Sequence, residues 1–95
     1  MPRVVTDLLV YTKNASSVSL RWKPPYPPTG ILKDYTINYS SYRKKINQET
    51  VMPITPCTLW SELHCATLSD LPVDAYLTFK VRNNYVPKSL RDILL

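Results

Sequence analysis

The chain has 95 residues, a net charge of +5, two cysteines, nine prolines and one glycine. That length suits one domain over 1–95, burying roughly 60 to 70% of its unfolded surface in a single core. One glycine excludes a Gly-rich phosphate loop. Two cysteines and one histidine are too few for a four-ligand zinc site. Charges interrupt every apolar run before it is long enough to cross a bilayer.

Alternation and breakers predict seven strands, at 4–11, 17–23, 33–41, 45–52, 64–69, 75–83 and 90–95. In the second, Val18, Leu20 and Trp22 share one face while Ser17, Ser19, Arg21 and Lys23 share the other. Pro24, Pro25, Pro27, Pro28 and Gly30 follow, and since proline lacks the ladder donor and fixes φ, they mark a connection. In the third strand Tyr35, Ile37 and Tyr39 point one way and Thr36, Asn38 and Ser40 the other. The fourth runs into Pro53 and Pro56, which suits a sheet edge. Ala66 and Leu68 of the fifth face inward, leaving Cys65 on its outer face. Leu77, Phe79 and Val81 alternate through the sixth. The last, LRDILL, is short and follows a loop without glycine, so the C-terminal edge is expected to be clipped. The expected class is all-β.

Cys57 and Cys65 bracket the loop CTLWSELHC. A disulfide between them would contribute about 2.5 kcal/mol by loop entropy in an oxidising compartment; the other reading is two free thiols, one of them buried. Asn14-Ala15-Ser16 and Asn38-Tyr39-Ser40 satisfy the N-glycosylation pattern, Asn14 in the first turn and Asn38 mid-strand on an outward face. Arg43, Lys44 and Lys45 cluster after the third strand, and Lys80 and Arg82 fall on the outward face of the sixth. Such a patch suits an acidic protein or polysaccharide, or simply keeps the face solvated. Stacking on single-stranded nucleic acid needs aromatics on the charged face, whereas Tyr35 and Tyr39 point into the core, so no nucleic-acid partner is expected. Trp60, Tyr26, Tyr42 and Tyr85 fall in loops or at strand ends. Trp60 is either an interface anchor or a cover folded back over the sandwich edge. His64 and Cys65 are sequence neighbours on opposite faces, which excludes a facing nucleophile pair. The carboxylates Glu49, Glu62, Asp70, Asp74 and Asp92 are scattered among turns. No catalytic residue, metal or cofactor is expected.

Trp22 closing the second strand, Pro24-Pro25 after it and the Tyr35-x-Ile37-x-Tyr39 run together resemble the fibronectin type III domain. Leu8 and Val10 are similar to the inward pair of that family's first strand, and Leu68-Ser69-Asp70-Leu71-Pro72 followed by Phe79-Lys80-Val81 to its fifth strand, corner and sixth strand. The resemblance implies an immunoglobulin-like, seven-stranded antiparallel β-sandwich with a truncated last strand. Its core would hold Leu8, Val10, Val18, Leu20, Trp22, Tyr35, Ile37, Tyr39, Leu68, Leu71, Leu77, Phe79 and Val81. The family's corner tyrosine would fall at Leu77, so either Tyr76 takes that role by a local shift or the corner hydrogen bond is absent. It further implies an extracellular, non-catalytic module of a receptor or adhesion protein that meets a protein ligand or spaces its neighbouring domains. Integrin recognition is not expected, since Arg91-Asp92-Ile93 lacks the glycine, and the cytokine-receptor Trp-Ser-x-Trp-Ser signature is missing. The start of the sequence does not read as a secretion signal, which is expected of a piece of a larger secreted or membrane-anchored protein. A small intracellular basic protein, with free thiols and no glycan, is the remaining alternative.

Overall fold

The computed structural model describes residues 3–24 and 30–86. It contains β1 (Arg3–Val4), β2 (Thr6–Lys13), β3 (Val18–Lys23), β4 (Leu32–Ser41), β5 (Ile46–Met52), β6 (His64–Leu68) and β7 (Thr78–Tyr85). These form two antiparallel sheets, ordered β1-β7-β4-β5 and β2-β3-β6. The inward parity of each strand meets that of the other sheet. Leu20, Trp22, Ala66 and Leu68 from one side pack in one cluster with Tyr35, Ile37 and Val81 from the other. Trp22 is 1% exposed and meets Tyr35 edge to face at 4.8 Å between ring centroids. Truncating such an indole costs about 3 to 5 kcal/mol. The expected edge position of the fourth predicted strand is that of β5. The predicted strand at 90–95, with Arg91 and Asp92, and the turn residues Pro25, Tyr26, Pro27 and Pro28 lie outside the described residues.

The first predicted strand is in fact two. Arg3 and Val4 pair with Asn83 and Arg82 in one sheet, and from Thr6 onward the chain pairs with β3 in the other. The crossing is at Val5, which is buried and whose N–H donates to the Val81 carbonyl at 3.0 Å. Asp7 follows with a left-handed φ of 57°. Register shifts then interrupt β2 between Thr6 and Leu9 and again between Val10 and Thr12.

Val10 is not a core residue. It pairs with buried Leu20 and so faces the space between the sheets, but β2 is an edge strand, and Val10 stays 40% exposed on a cleft it shares with Val18, Leu71, Leu77 and Phe79. Leu8, Val18, Tyr39, Leu77 and Phe79 pack on the core half-buried, and Leu71 is buried. The sixth predicted strand begins three residues late, because Asp74 takes a φ of 57° and the chain reaches the sheet only at Thr78. Tyr76 is left 89% exposed, so it does not serve as the corner residue.

His64, on the last strand of the smaller sheet, lies against Trp22 in register and against Tyr35 across the core. Its Nδ1 is 2.5 Å from the Tyr35 hydroxyl. Burial pushes the Tyr35 phenol up, with Tyr85 adding to the rise, and pushes His64 down from its ordinary value. The neutral imidazole so favoured can accept the phenol proton, and this makes His64 a tie between sheets.

Candidate interaction surfaces

Three outward regions hold the residues singled out by sequence. The first is the exposed side of the larger sheet. Thr36 stands opposite Arg82, Asn38 opposite Lys80 and Ser40 opposite Thr78. The expected cationic face is a mixed one, because Arg82 Nη2 lies 3.2 Å from Glu49 Oε1. Asn84 Nδ2 donates to Asp34 Oδ1 and Thr36 Oγ1, while Asn38 Nδ2 donates to Asn47 Oδ1 at 2.7 Å and to the Gln48 carbonyl at 3.1 Å. Arg82 is thus paired on this face, and exposed Lys80 is the cation left without an ion pair there among the described residues.

The second region is the outer face of the smaller sheet. Cys57 and Cys65 form a disulfide, with Cα atoms 5.0 Å apart. Their loop is pinned further by Cys57 N–H to the Leu63 carbonyl, Leu63 N–H to the Trp60 carbonyl and Cys65 N–H to the Thr55 carbonyl, each at 2.8 to 2.9 Å. Cys65 pairs with outward Arg21, as its parity requires. It is nonetheless only 8% exposed. The 57–65 loop to which it is bonded lies on this face, and within it Trp60 folds back with the Arg21 guanidinium 4.1 Å from its ring centroid and Tyr11 edge-on at 5.3 Å. Trp60 therefore folds back, as one of its two expected roles required, but over the outer face of the smaller sheet and not over the sandwich edge. Arg21 and Tyr11 were not legible as its partners, because the pairing is brought about by a loop and not by strand alternation.

The third region is one pole of the sandwich. The β4–β5 connection, Tyr42 to Lys45, is closed by Lys45 N–H to the Tyr42 carbonyl and by Lys44 N–H to Ser41 Oγ. Closing it that tightly takes Lys45 to a φ of 54°, a conformation glycine holds without steric cost. Tyr42 projects from the turn 98% exposed. Across a groove of about 510 Å³ stands Tyr76, with Arg43, Lys44, Asp74 and Ala75 lining the space between. The clustering of Arg43, Lys44 and Lys45 was expected from sequence; Tyr76 beside Tyr42 was not, since left-handed backbone at Asp70 and Asp74 sets the loop's course and neither is a glycine that would signal it.

The sequons differ as well. Asn14, in the turn between β2 and β3, is exposed, and its Oδ1 accepts from Ser16 N–H, Ser17 N–H and Ser17 Oγ at 3.3, 3.0 and 2.7 Å. Asn38 sits mid-strand, its amide nitrogen engaged as described above. No group of three or more candidate metal ligands and no helix long and apolar enough to cross a membrane occurs among the described residues.

Two antiparallel sheets enclosing a Trp–Tyr core, with their chemistry displayed on loops, define an immunoglobulin-like sandwich module. The fibronectin type III domain model matches residues 3–88, and the chain belongs to that family. No match is found among curated proteins. Domains of this family are in general non-catalytic, bind proteins or adjoin neighbouring domains, and occur mostly in extracellular regions.

Proposed function

We propose that this chain forms a single extracellular protein-interaction module of a cell-surface receptor or adhesion protein, and that its contact surface is the pole of Tyr42, Arg43, Lys44 and Tyr76. The observation that carries the reading is the pair of tyrosines, 98% and 89% exposed, on one groove with two cations. Tyrosine buries a large area at the cost of few torsions, and a ring already held in water by its backbone has everything to gain from a partner. The chemistry that fits is an acidic segment of a protein, its carboxylates on Arg43 and Lys44 and an apolar side chain between the rings. The disulfide supports an oxidising compartment.

Selection of a displayed random-peptide library on the folded domain tests this. Acidic peptides with an apolar or aromatic residue should be enriched, lost on Tyr42→Ser/Tyr76→Ser and kept on Lys80→Ala/Arg82→Ala. A passive spacer, the competing reading, yields no enrichment on any of the three.

A further inference from the structure

We infer that Asn14, and not Asn38, is the N-glycan acceptor of this chain; the inference rests on the extracellular reading above. Both residues satisfy the sequon, and the two amides are used in opposite ways. At Asn14 the oxygen does the structural work, holding the β2–β3 turn through three accepted bonds, and Nδ2 has no partner among the described residues. The Ser16 hydroxyl is likewise without a bond among the described residues, in an exposed turn. A sugar on Nδ2 therefore leaves every bond of the turn in place. At Asn38 the nitrogen itself is the donor, to Asn47 and Gln48 of β5. Substitution there removes one of its two hydrogens and sets a sugar on the central strand between β5 and β7.

The step forms a bond between Asn14 Nδ2 and the anomeric carbon of an oligosaccharide carried on a polyprenyl diphosphate. The bond from that carbon to the diphosphate oxygen breaks, the diphosphate leaves with the electron pair, and Nδ2 gives up one proton to a base of the transferase. Asn14 lies on the rim of the cleft that Tyr76 also lines, so the sugar would stand beside the pole and not on its Tyr42 side.

The chain is expressed behind a secretion leader in eukaryotic cells and mapped by mass spectrometry before and after enzymatic removal of N-glycans. The expected result is one glycan, at position 14, present in Asn38→Gln and lost in Ser16→Ala. The latter keeps the Asn14 side chain and the Ser16 carbonyl that accepts from Leu71 N–H, so its loss of sugar cannot come from a broken turn. A secreted, disulfide-bonded chain that is bare at position 14, or that carries its glycan at position 38, overturns the inference and leaves the compartment reading standing. Free thiols at Cys57 and Cys65 in the native protein overturn both.

Discussion

The outer face around Trp60 and the pole around Tyr42 and Tyr76 are both rich in aromatic and cationic side chains, yet they differ in whether those groups are already satisfied. Trp60 has Arg21 over its ring, Tyr11 at its edge and a disulfide fixing the loop that carries it. Tyr42 and Tyr76 have no ring partner among the described residues, and the turns that display them each contain a residue in left-handed backbone, Lys45 and Asp74. Composition alone ranks the two alike. Packing separates a surface that stabilises the domain from one that is available to something else.

Breaking the tied region should have the largest effect. Cys57→Ser/Cys65→Ser is expected to lose about 2.5 kcal/mol in denaturant unfolding, and the fraction of tryptophan emission open to acrylamide should rise, since Trp60 is one of only two tryptophans. Unchanged quenching would mean that Arg21 and Tyr11 hold the ring without the bridge. Trp60→Ala should cost about 1 to 2 kcal/mol, from lost apolar cover and the cation–π contact. Equal stability would instead mark Trp60 as an idle surface residue and return it to the anchor candidates.

At the pole the sign reverses. Lys45→Gly should raise stability by about 0.5 to 1 kcal/mol, because relief of the left-handed strain exceeds the added freedom of glycine in the unfolded chain; a loss would show that the Lys45 side chain makes a stabilising contact. Smaller again, since His64 is only half-buried, is the response of the core to acid. His64 is depressed on folding, so the unfolded chain binds protons more readily, and stability should fall as the pH drops below about 6.5. Thermal melts of His64→Gln should show that slope flattened. The least effect is expected from Tyr42→Ser/Tyr76→Ser, within about 0.5 kcal/mol of the parent. A larger loss would make the tyrosines structural and remove the contrast between the two regions.

The sandwich was readable because its inner faces follow strict alternation: Val18-Leu20-Trp22 and Tyr35-Ile37-Tyr39 had one way to be buried together. Alternation also oriented Cys65 correctly, and its burial follows from the disulfide-bonded loop and not from the strand pattern. Val10 shows the same limit from the other side, facing inward at an edge where too little covers it. The late start of β7 and the display of Tyr76 turn on positive φ at aspartates, which nothing in residue type demands. The basic residues were visible as a set, but only cross-strand register brings Glu49 to Arg82 and pairs that charge on the exposed face.

The sheet change at Val5 has a mechanical meaning. A neighbour pulling on the N-terminal side would strain β1 first, whose hold on β7 is two residue pairs and the single Val5 to Val81 bond. Once that short zipper opens, tension passes to β2, which is joined to β3 over a longer seam and must be sheared or peeled along it. Single-molecule extension should therefore show a short, low-force yield before the main rupture, and Val5→Pro, which removes the donated N–H but leaves the two β1–β7 pairs, should lower the force of that first event and leave the main rupture in place. On that path the Val5 end of the core and a few residues of β1 would give way as slack before the β2–β3 seam and the exposed pole are disturbed.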